Sequence, residues 1–239
     1  MTPTSAARPD ACRAPTPRRP DLAPPAPPLG PGSAFGQDRW VLDTLGGLTG
    51  GFFLDTGAAD GVRGSNTLIL ERDHGWDGIC VEPCPRLFAA LGRARACRCV
   101  NACAYHHDGE VDFVDADELS GIAAEYPPSL LRQARARHAV AIDAAGRPRT
   151  VRRPARALRG LLRQLGAPAV VDYWSLDTEG SELALLQAFP WDEHEVRLIT
   201  VEHGWLPVRA EQHAFLVARG YQRVRTLGVD DCYAKAATR

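Results

Sequence analysis

At 239 residues, with 45% apolar and 24% charged side chains, the chain is long enough for one large domain, and its composition excludes a collagen-like, coiled-coil or wholly disordered polymer. A formal net charge of -1 leaves no overall field to draw it onto nucleic acid or a membrane surface, so charge has to be argued locally. The seven cysteines are an odd number in a chain too large to need disulfide staples. No apolar run approaches the roughly 18 residues of a membrane span. A soluble, reduced, cytoplasmic protein is expected.

Residues 1–33 hold ten of the 19 prolines and hardly any large apolar side chain. Such a segment cannot bury enough surface to offset its ordering entropy, so it is expected to be a disordered tail, with residues 34–239 forming the domain. From Phe35 onward, short apolar runs alternate with helical patterns. The runs at 51–55, 78–82, 98–102, 170–176 and 196–201 are expected to be strands. Helices are expected at 65–74 with Ser65 as N-cap, and at 85–93, 156–165, 179–189 and 209–220. Strands separated by helices of this length imply an α/β fold, a Rossmann-like, doubly wound and mainly parallel sheet covered on both faces. The runs 221–226 and 230–234 around Gly228 are expected to form an antiparallel hairpin that closes the sheet.

Two segments need separate treatment. Cys97, Cys99 and Cys103 are spaced C-x-C-x3-C, but no second knuckle follows, so they are expected to pack in the core rather than to bind zinc. Residues 121–155 interrupt the alternation and lead into an Arg-rich stretch. From Arg132 to Arg163 there are ten arginines against one acid, Asp143. A solvated insertion or flank is expected, the alternative being a lid that meets an anionic partner such as a phosphorylated substrate or an acidic carrier protein. No aromatic platform is interleaved, so nucleic acid is not expected as a partner.

In an open parallel sheet, ligands bind beyond the carboxyl ends of the strands. The first strand ends Asp55-Thr56-Gly57-Ala58-Ala59-Asp60-Gly61, which is not the G-x-G-x-x-G dinucleotide pattern. The carboxylates of Asp55 and Asp60 would repel a pyrophosphate and attract a ligand carrying an ammonium and a sulfonium. That favours S-adenosylmethionine over NAD, with Asp55, Gly57, Asp60 and Gly61 as cofactor contacts. Glu82 ends the second strand, 21 residues after Gly61, where an acid would accept hydrogen bonds from both ribose hydroxyls. Asn101 ends the third and is the candidate adenine contact. The fourth strand runs into Asp177-Thr178-Glu179-Gly180-Ser181-Glu182. Asp177 and Glu179 are expected to face the pocket, Asp177 at both cofactor and acceptor, and Glu182 to be a first-turn acid favoured by the helix dipole. His203 ends the fifth strand after Glu202 and is the candidate general base, since imidazole titrates near operating pH. Asp177, Glu179 and Glu202 would make an oxygen-rich site for Mg²⁺ or Ca²⁺ if they converged. Asp177 facing the cofactor and Glu202 pointing sideways would prevent that, so no metal is expected.

These residues together resemble the FkbM-type methyltransferases, a branch of the class I S-adenosylmethionine-dependent methyltransferases. Phe35-Gly36-Gln37-Asp38 is similar to that family's F-G-Q-D entry, and residues 51–61 to its G-F-F-V-D-x-G-A-x-D-G loop. Ser65-Asn66-Thr67-Leu68, Glu82-Pro83 with Pro85 to Phe88, residues 177–182 and Val201-Glu202-His203 match S-N-T-L, E-P-x-P-x-L-F, D-T-E-G-S-E and V-E-H. The departures are Ala59 and Cys84 where Asn is common, Arg159-Gly160 where acids often precede a Leu pair, and Gly204 for the Asn after the His. The resemblance implies the class I methyltransferase fold and O-methylation of a hydroxyl on a sugar or natural-product acceptor, free or carrier-bound, with neither nucleic acid nor membrane as partner. The competing expectations are a substrate-binding pseudoenzyme and a nucleotide-binding module on the same fold.

Overall fold

The computed structural model describes residues 32–204 and 207–236, so the expected tail lies outside the described residues up to position 31. Its last two residues, Gly32–Ser33 (β1), pair in parallel with Arg63–Gly64 (β3). Ser33 also donates from its amide to the Asp38 carboxylate at 3.1 Å, so this pair packs with the domain. The chain then forms α1 (Gln37–Thr44), β2 (Phe52–Thr56), α2 (Leu68–His74), β4 (Asp77–Val81), α3 (Pro85–Ala94) and β5 (Arg98–Val100). Next come β6 (Cys103–Tyr105), β7 (Gly109–Val114), β8 (Gly121–Ile122), α4 (Pro128–His138), β9 (Val151–Ala157) and α5 (Leu158–Gln164). The last third holds β10 (Val170–Leu176), α6 (Glu182–Ala188), β11 (Glu195–Glu202), α7 (Arg209–Ala218), β12 (Tyr221–Leu227) and β13 (Asp230–Lys235).

The fold is mixed α/β. Seven strands form one sheet in the order β12-β13-β11-β10-β2-β4-β5. From β11 to β5 neighbours are parallel, while β13 lies antiparallel between β11 and β12. The central strands are apolar runs because both their faces are covered, and β2 is buried at every position. Successive residues leave on opposite faces. Leu54, Ile79, Trp174 and Ile199 join Leu161, Leu162, Leu185 and Leu186 on one side. Phe53, Cys80, Tyr173 and Leu198 join Trp40, Val41, Leu70 and Leu91 on the other. Two buried bonds clamp β2 to β10, Trp174 Nε1 to Thr56 Oγ1 at 3.0 Å and Thr56 Oγ1 to the Ser175 carbonyl at 3.2 Å. The chain leaves β2 towards β4 and returns on its other side as β10. That reversal of direction opens a crevice at the carboxyl ends of β2 and β10.

The structure departs from expectation on one flank. A second, four-stranded sheet, β6-β9-β7-β8, has no counterpart in the expected elements. Its strands are short, and β9 reads Val-Arg-Arg-Pro-Ala-Arg-Ala with one buried position, so the apolar alternation that marks a strand is missing. The Arg-rich segment is therefore partly a paired strand. Arg152 faces Glu110 and Asp112, Arg153 faces Asp115, and Arg156 faces Asp108. The third strand stops at Val100 and is a half-buried edge, while Cys103 begins β6 of the other sheet. All six described cysteines are free. Helix α2 starts after Thr67 rather than Ser65, yet the Ser65 hydroxyl still accepts the Leu68 amide at 3.2 Å. Among the described residues no helix is long and apolar enough to cross a membrane.

Gly78 stands opposite Phe53 in the register of β2 and β4, and a Cβ there would lie 2.3 Å from the Phe53 ring. The buried ring has nowhere to go. Gly78→Ala should cost about 1–3 kcal/mol through overpacking, seen as a lower urea midpoint with an unchanged m-value.

Candidate functional site

A cleft with an empty volume of about 1210 Å³, counted out to its open mouth, lies at the carboxyl edge of the sheet. It is bounded by the ends of β2, β4 and β10 and by the start of β13, which runs the other way and so begins at this edge. Its lining includes seven carboxylate residues and one cationic one, Arg63. The cleft is therefore rich in carboxyl groups and poor in cations.

The first loop is set by Gly57. Its φ of +89° belongs to glycine, and a Cβ there would lie 1.6 Å from the Asp177 carbonyl oxygen. No side chain fits. Asp55 lies beneath, accepting a hydrogen bond from the Thr67 hydroxyl at 2.6 Å. Burial raises its pKa, opposed by Thr67 and by the nearby Arg95 guanidinium. Asp60 and Gly61, expected as cofactor contacts, do not line the cleft. The Asp60 carboxylate accepts the Val62 and Arg63 amides at 2.9 Å and Arg63 Nε at 2.7 Å, closing the turn. Burial pulls its pKa up, but these bonds outweigh it and hold the value low. Gly61 instead leaves room for Leu91, 2.5 Å from where its Cβ would be. Ala59 takes φ +48°, a left-handed conformation that Asn tolerates better than Ala. This is the physical content of that departure from the family pattern.

Glu82 lines the cleft and is 5% exposed. One of its oxygens accepts the Ala59 amide at 2.9 Å and the other the Cys84 amide at 2.7 Å. Burial pushes its pKa up to about 7, against the pull of those two bonds. Asn101, the expected adenine contact, is not among the lining residues. Its amide donates to the Glu82 main-chain carbonyl at 2.8 Å, bracing that residue from outside the cleft. Cys103 and Ala104 line the cleft beyond it instead.

The third corner is a row of acids. Leu176 pairs with Val201, and Glu202 pairs with Asp230, so Asp177, Glu202 and Asp230 come side by side on three adjacent strands. Glu182 reaches the same place from the start of α6 and does more than oppose a dipole. It accepts the Thr178 amide at 2.7 Å, the Thr178 hydroxyl at 3.0 Å and the Gly180 amide at 3.1 Å, folding the loop between β10 and α6. Oxygens of Asp177, Glu182 and Glu202 lie within 4.8 Å of one another. Asp177 and Glu202 therefore do converge, but with Glu182 where Glu179 was expected. Glu179 lines the cleft at φ +58° and stays outside this group. Burial, and then the charge of Asp230, raise the pKa of Asp177.

His203, the expected general base, lies elsewhere. It is 1% exposed and does not line the cleft. Its Nε2 lies 3.9 Å from the Asp231 carboxylate, and burial with the charge of Arg209 lowers its pKa to about 4. Glu202 and His203 are successive residues at the end of an extended strand and leave on opposite sides. Glu202 takes the side of Asp177. Among the lining residues that the sequence did not mark as site residues are Asn66 and Asp230. Asn66 donates to the Ser175 hydroxyl at 3.1 Å, while its buried Oδ1 has no partner among the described residues. Asp230 accepts from Gln37 Nε2 at 2.7 Å. Asn66 stands inside the S-N-T-L block, which marked a helix start. Asp230 carried no signal beyond a pair of acids at a hairpin.

Residues 55–226 match the methyltransferase FkbM domain, and the chain belongs to that family. No curated protein matches the chain.

The raised pKa of Glu82 has a measurable consequence. A carboxyl that binds its proton more tightly in the native state stabilises the fold fully below its unfolded value of 4.5, and this is lost as pH rises through about 7. Glu82→Gln removes that titration. The fall in melting temperature between these pH values should be shallower in the variant than in the parent, whatever constant offset the substitution adds.

Proposed function

We propose that the protein is an S-adenosylmethionine-dependent O-methyltransferase on a class I, Rossmann-like fold, acting on a hydroxyl of a sugar or natural-product acceptor. The observation that carries this reading is the acid-lined cleft where β2 and β10 diverge, with Gly57 crossing the Asp177 carbonyl and Glu82 at the next strand end. Its charge suits a ligand with a sulfonium and an ammonium and repels a pyrophosphate, which counts against a nucleotide-binding module. The buried Asn66 Oδ1 offers an acceptor for a ligand N–H or O–H. Glu82 would hold the ribose hydroxyls, since each of its oxygens accepts only one amide and keeps a lone pair. The backbone at Gly57 and Ala58 would flank the cofactor.

When bound, S-adenosylmethionine supplies an activated methyl group on its sulfonium. The chain's own work is to orient the acceptor and to manage its proton. Asp177 lines the cleft at the end of β10, and in this reading it accepts a hydrogen bond from the acceptor hydroxyl and takes up its proton. Burial, and then the charge of Asp177, raise the pKa of Glu179 on the same loop. His203 holds the turn of the hairpin through its amide, which donates to the Val229 carbonyl at 2.9 Å.

Calorimetry with S-adenosylmethionine tests the cofactor half. Glu82→Ala should lose charge-assisted hydrogen bonds of about 1.5–3 kcal/mol each, not additively, and an unchanged affinity would remove the ribose assignment. Turnover with the acceptor tests the other half. Asp177→Asn should reduce it by about 10²–10⁴-fold, and His203→Ala by less than about tenfold. The opposite order of these two variants would restore His203 as the base.

A further inference from the structure

We propose that Asp177, Glu182 and Glu202 bind a divalent cation at the carboxyl edge of the sheet, with Asp230 accepting a hydrogen bond from a water on that ion. The register builds the donor set: Leu176 pairs with Val201 and Glu202 with Asp230, which lines up Asp177, Glu202 and Asp230 across β10, β11 and β13. Glu182 completes it from the start of α6, fixed in orientation by the Thr178 and Gly180 amides. Such bonds to a ligating carboxylate are what keep a ligand aimed. Among the described residues no Arg or Lys forms an ion pair with any of these four acids.

The spacing fits an ion. Oxygens on opposite sides of Mg²⁺ stand about 4.2 Å apart and those across Ca²⁺ about 4.6–5.2 Å, with adjacent ligands closer. The three carboxylates offer oxygens that all lie within 4.8 Å of one another. Three oxygen donors with no nitrogen or sulfur select a hard cation, Mg²⁺, Mn²⁺ or Ca²⁺, over zinc or copper.

A second, independent observation comes from Asp230. It is 4% exposed, and while its Oδ2 accepts from Gln37, its Oδ1 has no hydrogen-bond partner among the described residues. A buried carboxylate oxygen left unpaired is costly. Asp230 lines the cleft and pairs with Glu202 across β11 and β13, so a water on an ion held by Glu202 could donate to this oxygen.

The consequence for catalysis rests on the methyltransferase reading: an ion here would bind the acceptor oxygen next to Asp177 and favour its deprotonated form. The binding itself does not depend on that reading, and the test separates the two. Mn²⁺ is titrated into the full chain without added cofactor, and free Mn²⁺ is followed by its electron paramagnetic resonance signal. One site per chain is expected, displaced by Mg²⁺ or Ca²⁺. Glu202→Gln and Asp177→Asn, each checked for an intact fold by circular dichroism, should weaken it by at least about tenfold. Glu82→Ala, aimed at the cofactor alone, should bind Mn²⁺ like the parent. The proposal is overturned if the parent binds no Mn²⁺ below about 1 mM, or if a folded Glu202→Gln or Asp177→Asn variant binds it equally well. A parent chain that binds Mn²⁺ but no S-adenosylmethionine would instead strike the cofactor reading and leave the ion site standing.

Discussion

The Asp177 carbonyl fills the space that a side chain at residue 57 would need. Much of the site follows from that contact. The crossovers from β2 and β10 part here, yet the strands remain bonded up to the Asp177 amide, which donates to the Thr56 carbonyl at 3.1 Å. Only a residue without a Cβ, and free to take positive φ, can turn the chain away immediately after such a pairing. The turn brings the backbone at Ala58 and Ala59 to the cleft and hands the Ala59 amide to Glu82. On the other side, the same contact fixes where β10 ends, and therefore which acid of the following loop stands next to β11. A shift of β10 by one residue would move Asp177 to the opposite face and disperse the acidic row.

That row opposes folding. Burial raises the proton affinity of Asp177, Asp230 and Glu82, and each gains a further push from another acid nearby. Nothing local offsets this fully. The compensation comes from the two apolar layers on either face of the sheet, where Trp174, Tyr173, Phe53 and Leu54 are wholly enclosed. Local choices that oppose the global fold are expected at functional sites and are carried by consistency elsewhere. Arg95 shows the contrast within the same molecule. Its buried guanidinium bonds to the Thr67 hydroxyl and to the Gly61 carbonyl, and so supports the loop below Asp55 while remaining outside the cleft.

The parallel core was legible because burial on both faces leaves a continuous apolar run, as in Val170–Leu176, and because the hairpin carries its own glycine turn at Gly228. The second sheet was not, since β9 places Pro154 and three arginines in a strand whose outer face is solvated. At the site, sequence fixed where a residue falls along a strand but not which way it faces. Glu202 and His203 were both at the right edge, and the one-residue alternation of a strand separated them. Asp60 looked like half of an acidic pair, but an Asp ahead of two free amides closes a turn first. Glu182 was read as an acid at a helix start, a local role. Its contacts with Asp177 and Glu202 depend on the register of β10 and β11, which no local pattern contains.

The net charge of -1 conceals two opposite surfaces. The acids gather inside the cleft, and the arginines gather outside it around the second sheet. Of the ten arginines between 132 and 163, six already form ion pairs with neighbouring acids. They neutralise their own flank rather than project a field. Only Arg132, Arg135 and Arg137 on α4, together with Arg149, are exposed and outside those pairs. A phosphorylated acceptor would therefore gain little attraction at the flank and would meet a cleft rich in carboxyl groups and poor in cations at the point of reaction. A neutral polyol meets no such barrier, because hydroxyl groups can donate to carboxylates that repel an anion. The charge distribution thus favours, among the acceptors that the proposed chemistry allows, one that arrives without negative charge near the methylated oxygen.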